Sequence, residues 1–201
     1  MSIWLVVPVR SLRDGKSRLA SALDPAQRSA LVEWLLVHTL EQAAEFPGLK
    51  RTLVVSPCEE ARARASACGA RVLEEPAPGG LNQALQHAQR ALSDLDAARM
   101  LMVACDLPLL RAEDLRLLAD ASSTGTVALA PDRGRQGTNG VCLDTRVAFD
   151  FSFGPNSFER HLERVQQLGM RSTIVDTAAL AFDVDTPGDL SKLRALEQHW
   201  S

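Results

Sequence analysis

Met-Leu-Met-Val-Ala-Cys-Asp-Leu-Pro, residues 100–108, decides the fold of this chain: an apolar run that ends abruptly on a carboxylate and a proline. A run with no polar alternation is the pattern of a strand covered on both faces, as in an interior parallel sheet. Ligands of open α/β sheets bind outside the carboxyl ends of such strands, which is where Asp106 falls. A second apolar segment ends on Asp-Val-Asp-Thr-Pro, residues 183–187, and also reads as a strand. Asp106, Asp183 and Asp185 are therefore expected to converge at the strand ends of one sheet. Alternation in an extended segment puts Asp183 and Asp185 on one side with Val184 opposite, so both can reach one ion. Mg²⁺ is hard, takes oxygen ligands and pairs with nucleotide phosphates. The alternative is structural: Asp106 capping the turn before Pro108, and the other two serving a helix start at Thr186.

Working outward from these segments, strand and helix alternate. Ile3 to Val9 is a β-branched apolar run, and Leu53–Ser56, Arg71–Glu74, Arg99–Ala104, Thr126–Ala130, a brief Val141–Leu143 and Ser172–Val175 read as further strands. Asp24-Pro25-Ala26-Gln27 supplies an N-cap, a first-turn proline and a capping-box glutamine. It opens a helix to about Glu45, with Leu31, Trp34, Leu35, His38 and Ala43 expected on its inner face. Helices also follow at Glu59–Ala67, after Gly79-Gly80-Leu81-Asn82 to about Leu92, at Arg111–Ala121, at Ser157–Leu168 and from Thr186-Pro187, where Asp189 favours the helix dipole. The order predicts an α/β, Rossmann-like domain with a mostly parallel central sheet, right-handed crossovers and helices on both faces. Residues 131–138 lack apolar periodicity and read as an exposed loop of the functional kind.

The chain has 201 residues, 46% hydrophobic and 23% charged, enough for one substantial core and no linker, so residues 1–201 are expected to form a single domain. A net charge of −3 gives no global attraction to polyanions, so no nucleic acid is expected as partner. No membrane segment is expected either, since the apolar N-terminus is too short and lacks a basic flank, and a cytoplasmic location is the default. Cys58, Cys68, Cys105 and Cys142 have no paired spacing and read as reduced thiols near the core.

The loop after the first strand carries Arg10, Arg13, Lys16 and Arg18 around Gly15, and its backbone could form an anion nest with Lys16 and Arg18 neutralising phosphate. It lacks the paired glycines of a Walker A loop, and a solvated basic loop is the alternative. Gly79 and Gly80 would let backbone approach a ligand, and Asn82 offers a donor and an acceptor to a base edge. The Gly137-Thr138-Asn139-Gly140 run and Gly154-Pro155-Asn156-Ser157 before a helix suit a phosphate or carboxylate. His38, His87, His161 and His199 do not cluster at metal-ligand spacing; only His161 lies near a candidate site. No nucleophile elbow or Cys/His pair supports covalent catalysis.

Six segments taken in order carry a resemblance: Val-Pro-Val-Arg…Gly-Lys-Ser-Arg-Leu (7–19), Gly-Leu-Asn-x-Ala-Leu (80–85), Asp-Leu-Pro-Leu-Leu (106–110), Pro-Asp-Arg…Gly-Thr-Asn (131–139), Phe-Gly-x-x-Ser-Phe (153–158) and Asp-Val-Asp-Thr-Pro-x-Asp-Leu (183–190). Together they resemble the guanylyltransferases of deazaflavin coenzyme F(420) biosynthesis, within the molybdenum-cofactor-guanylyltransferase-like, nucleotide-diphospho-sugar transferase-like fold. The resemblance implies a nucleotidyltransferase that joins GMP from GTP to phosphoenolpyruvate, 2-phospho-L-lactate or 3-phospho-D-glycerate with release of pyrophosphate. It implies Asp106, Asp183 and Asp185 as Mg²⁺ ligands and Thr138, Gly154 and Ser157 as holders of the acid. Arg10, Lys16, Arg18, Gly80 and Asn82 would bind GTP, with Asp106, Lys16 and Arg18 acting in catalysis.

Two positions depart from that pattern: Arg10 stands where lysine is common, and Gly140 where a larger small residue is usual, which could alter the acceptor pocket. A molybdopterin or sugar-phosphate acceptor, or a nucleotide-binding module without catalysis, would fit the same acids. The acceptor's identity and the oligomeric state stay open, a homodimer being one option, with Phe149, Phe151 and Trp200 as interface or core.

Overall fold

A seven-stranded sheet orders the chain, and the computed structural model describes residues 2–13 and 15–198 of it. The strands are β1 (Ile3–Pro8), β2 (Thr52–Ser56), β3 (Arg71–Glu74), β4 (Arg99–Val103), β5 (Thr126–Pro131), β6 (Thr138–Asp144) and β7 (Arg171–Ile174), laid side by side as β3-β2-β1-β4-β6-β5-β7. Only β6 runs antiparallel, between β4 and β5. The other pairings are parallel, as the alternating pattern predicts. The helices are α1 (Pro25–Glu45), α2 (Glu59–Ala67), α3 (Leu81–Ser93), α4 (Ala112–Asp120), α5 (Ser157–Gln167), α6 (Ala178–Ala181) and α7 (Pro187–Gln198).

Strand alternation divides the apolar side chains between two cores. Leu5, Val7, Leu101 and Val103 face α1, α2 and α4, while Trp4, Val6, Met100 and Met102 face α3 and α5. The interior strands β1, β2, β4 and β5 are buried on both faces, which is why their runs show no polar alternation, whereas the edge strands β3 and β7 are largely exposed. A third cluster joins Leu19 and Leu23 of the first loop to Phe182, Val184, Leu190 and Leu193, and so packs the basic loop against the acidic 183–185 segment.

The capping box of α1 is present: Asp24 accepts from the Gln27 N–H and Gln27 returns the bond, each at 2.9 Å. Its inner stripe, however, is rotated from the expected one. Val32, Leu35, Leu36, Thr39, Leu40 and Ala43 are buried, whereas Trp34 is 40% exposed and stacks on His38. The i, i+3, i+4 series through Val32 is the continuous apolar face, and Trp34 lies to its side.

Two segments differ from their expected form. The apolar stretch before Asp183 is a single helical turn, α6, whose start is capped by the Thr177 hydroxyl accepting from Leu180 N–H at 3.1 Å; residues 183–186 lie outside the sheet. β6 is seven residues rather than three, and it begins at Thr138, inside the region expected to be loop. Thr138 and Asn139 are polar yet buried, because their side chains bond to His161 and to the Leu180 carbonyl. Phe149 and Phe151 are 1% and 6% exposed and belong to the α3/α5 core, not an interface; Trp200 and His199 lie outside the described residues. All four cysteines are free thiols, and no helix among the described residues is long and apolar enough to cross a membrane.

Candidate active site

The carboxyl ends of β1 and β4 open on a cleft of about 950 Å³, lined on one side by Arg10, Lys16 and Arg18 and on the other by Gly79, Gly80 and Leu81, with Asp106 and Asp185 at its floor. β4 ends at Val103, so Asp106 sits one tight turn beyond the sheet. The Val184 N–H donates to the Asp106 carbonyl at 3.2 Å, which ties the two acidic segments together although they are far apart in sequence. Lys16 completes the centre. Its ammonium donates to Asp106 Oδ2 at 2.6 Å and to Asp185 Oδ1 at 2.8 Å, and Arg18 lies 3.8 Å from the other Asp185 oxygen.

These charges perturb one another. Burial works to pull the Lys16 ammonium down, but the Asp106 and Asp185 carboxylates outweigh it and hold the group above its ordinary value. Asp183 is raised, first by burial and then by the negative charge of Asp106, Asp185 and Asp132. The Cys105 thiol beside them is pushed up to about 12, by burial and by Asp106, so it is no nucleophile. Among the described residues no group of three His, Cys, Asp or Glu stands ready-made as a metal site. The donor set nonetheless fits a hard cation: carboxylate oxygens only, two of them already gripping an ammonium, and a third with raised proton affinity beside them.

The other expected residues fall in three places. Arg10 is exposed on the cleft wall, while Arg13 turns away to pair with Glu60 on α2. Gly80 has φ +140° and its N–H donates to Glu75, whose carboxylate also lines the cleft. Asn82 does not line it. Its amide meets the backbone of Phe153, accepting from the N–H at 2.7 Å and donating to the carbonyl at 3.2 Å, and so ties the start of α3 to the 151–153 loop.

Thr138 and Ser157 meet. Ser157 Oγ donates to Thr138 Oγ1 at 3.4 Å, at the amino end of α5, and Gly154 reaches φ +121° in the turn before it. This pair lies beside the β4 end, because Asn139 accepts there from the Ala104 N–H at 2.8 Å. Gly140 sits against α4. A Cβ there would come within 2.6 Å of Leu118 Cδ2 on α4, so the glycine makes room for core packing.

Sequence reading passed over Glu75, which no motif distinguishes, and Asp132, whose two carboxylate oxygens accept from the Gln136 and Gly137 N–H groups at 2.9 Å and so fold the 132–137 turn. Its signal was the Asp-x-x-x-x-Gly spacing, since a Cβ at Gly137 would strike Asp132 Oδ2 at 2.7 Å. His161 is completely buried between Thr138 and Ser152 rather than on the helix surface.

The sheet and its helices share their fold with solved structures of a putative nucleotide-diphospho-sugar transferase and of a nucleotidyl transferase. A nucleotidyl transferase from Methanothermobacter thermautotroptrophicus superposes with a TM-score of 0.74 at 18% identity, covering 100% of this chain and 99% of that one. The particular identity comes from sequence. The chain belongs to the family described as "Guanylyl transferase CofC like", whose model matches residues 3–196. A phosphoenolpyruvate guanylyltransferase from Rubrobacter xylanophilus is 38% identical over 97% of this chain and 95% of its own, and a 3-phospho-D-glycerate guanylyltransferase from Phenylobacterium zucineum is 34% identical over 92% and 86%.

Proposed function

We propose that this chain transfers GMP from GTP to the phosphate of a small phosphorylated carboxylic acid, with phosphoenolpyruvate the first acceptor to test, in coenzyme F(420) biosynthesis. The observation that carries the reading is the Lys16 ammonium held between Asp106 and Asp185 on the floor of a cleft walled by Arg10 and Arg18. Such a floor suits a triphosphate, because cations supply neutralisation while the carboxylates set where positive charge can reside. The family and the relatives' activities support the guanylyl group and the class of acceptor.

Asp106, Asp183 and Asp185 would hold Mg²⁺, which when bound supplies charge neutralisation and orientation of the phosphate oxygens. The remaining work falls to the chain. Arg10, Lys16 and Arg18 draw the triphosphate into the cleft and stabilise charge on the leaving pyrophosphate. Thr138, Gly154 and Ser157 seat the acid beside the β4 end. An oxygen of its phosphate attacks the α-phosphorus in line; the new P–O–P bond forms as the α–β bridge breaks, and that electron pair leaves with pyrophosphate. The attacking oxygen is already anionic, so no general base is needed.

The test is incubation with GTP, Mg²⁺ and each of phosphoenolpyruvate, 3-phospho-D-glycerate and 2-phospho-L-lactate in turn, following pyrophosphate and the mass of the product. Stoichiometric pyrophosphate and a guanylylated acid with one of them supports the reading. GTP binding with no release under any of the three refutes it.

A further inference from the structure

We propose that His161 is a positioning residue of the acceptor pocket: its neutral, Nδ1-protonated ring turns the Thr138 hydroxyl into a donor aimed at an oxyanion of the acid. This rests on the reading of Thr138, Gly154 and Ser157 as the acceptor pocket.

The tautomer follows from hydrogen-bond bookkeeping. The Ser152 backbone N–H can only donate, and it lies 3.0 Å from His161 Nε2, so Nε2 accepts and carries no proton. The ring's proton is then on Nδ1, 2.9 Å from Thr138 Oγ1, and is donated to it. Ser157 Oγ donates to the same oxygen at 3.4 Å. With the Nδ1 proton donated to Thr138 Oγ1, the Thr138 and Ser157 hydroxyls have one hydrogen bond between them, so one O–H of the pair is left over. Thr138 is 6% exposed, and among the described residues no protein acceptor takes that proton. A buried donor left over in this way calls for an acceptor from a ligand, and a carboxylate or phosphate oxygen supplies the strongest one.

The surroundings hold the ring in place. His161 is fully buried, with Phe153 edge-on at 4.7 Å and Phe149 at 5.6 Å. The Phe153 backbone is itself gripped by Asn82. One imidazole thus fixes three separate pieces of chain: the start of β6, the 151–153 loop and the first turns of α5. Burial, with the nearby Arg160 charge adding to it, keeps the ring neutral down to about 4, so the donor assignment persists across the working range.

The experiment measures KM for the acid and for GTP separately, using phosphoenolpyruvate, or 3-phospho-D-glycerate if that is the acid the wild type guanylylates. The proteins are wild type, His161→Gln, His161→Asn, Thr138→Val and the two double variants, each checked for folding by thermal melting. His161→Gln is expected to raise the acid's KM about tenfold and leave that of GTP within about twofold, the worth of one charge-assisted hydrogen bond. His161→Asn, whose amide N–H can take the place of Nδ1, should recover part of the loss. In the Thr138→Val background either change should add less than about twofold, because the bond it acts through is already gone. An equal rise in both KM values, or the full factor added on top of Thr138→Val, overturns the role of His161. If Thr138→Val alone leaves the acid's KM unchanged, the acceptor-pocket reading fails and the inference falls with it. If His161→Gln does not fold, the His161→Asn cycle with Thr138→Val decides by the same criterion.

Discussion

The backbone N–H of Val184 donates to the carbonyl of Asp106 at 3.2 Å, and this contact joins the two acidic segments on which the site is built. Val184 is fully buried in the cluster with Leu19, so the link is shielded from water and the basic loop is held over it. The residues on either side of Val184 are thereby turned toward Asp106, and their charges are felt there: Asp185 through Lys16, and Asp183 through its raised proton affinity.

Replacing Lys16 by methionine removes the cation between Asp106 and Asp185 while keeping the volume of the side chain. Both carboxylates remain partly exposed, 29% and 40%, so water can take over and the fold should survive. We expect kcat/KM to fall about a hundredfold or more, the scale of losing one preorganised charge at the reacting phosphates. Steady-state pyrophosphate release, alongside circular dichroism, checks this; activity within a few-fold of wild type would remove Lys16 from the centre.

Asn82→Ala separates two roles. If its amide grips Phe153, as the structure shows, the change should raise the acid's KM several-fold and leave the preference for GTP over ATP untouched. Competition between the two nucleotides and titration of the acid provide the readout. A collapse of the nucleotide preference would restore the base-edge role that the sequence suggested.

Gly79→Ala places a Cβ 2.3 Å from Glu75 Oε1, too close for any real contact. The carboxylate must then leave the Gly80 N–H and move within the cleft. Weaker GTP binding with little change in melting temperature is the expected result, measured by calorimetry and thermal unfolding. Unchanged affinity would show that this wall of the cleft does not meet the nucleotide.

Stability should depend on His161 in acid. Its folded value of about 4 lies below the 6.5 of a free imidazole, chiefly through burial, so between these pH values the unfolded chain takes up a proton that the folded chain refuses. Its contribution is complete above about pH 6.5 and is lost as pH falls to 4, on the order of 3 kcal/mol over that window. Urea melts at pH 7 and pH 4.5 on wild type and His161→Asn isolate the term: the wild type should lose more stability than the variant. Equal losses would contradict it.

The sequence made the sheet legible because strands covered on both faces must be apolar throughout, and Ile3–Pro8 and Arg99–Val103 obey that rule. It pointed to Asp106 from its place just past β4 and to Lys16 from its place in the loop after β1, and the structure brings both together with Asp185, which follows a helical turn and not a strand. It hid β6, whose first residues are polar and buried only because partners distant in sequence satisfy them. It hid the helical turn at Ala178–Ala181, too short for periodicity to register. The contact of Asn82 was hidden for a related reason: an amide suits a base edge and a backbone equally, and only the fold shows that it meets Phe153.

The most direct measurement compares wild type and Asp106→Asn, with GTP, Mg²⁺ and the acid that the wild type uses, by pyrophosphate release and mass detection of the guanylylated product. Asparagine keeps the shape of Asp106 and removes its charge. The account predicts one pyrophosphate per product from the wild type, and a folded variant at least about a thousandfold slower. Turnover by Asp106→Asn at a rate near that of wild type would contradict the assignment of the Lys16, Asp106 and Asp185 cluster as the centre of guanylyl transfer.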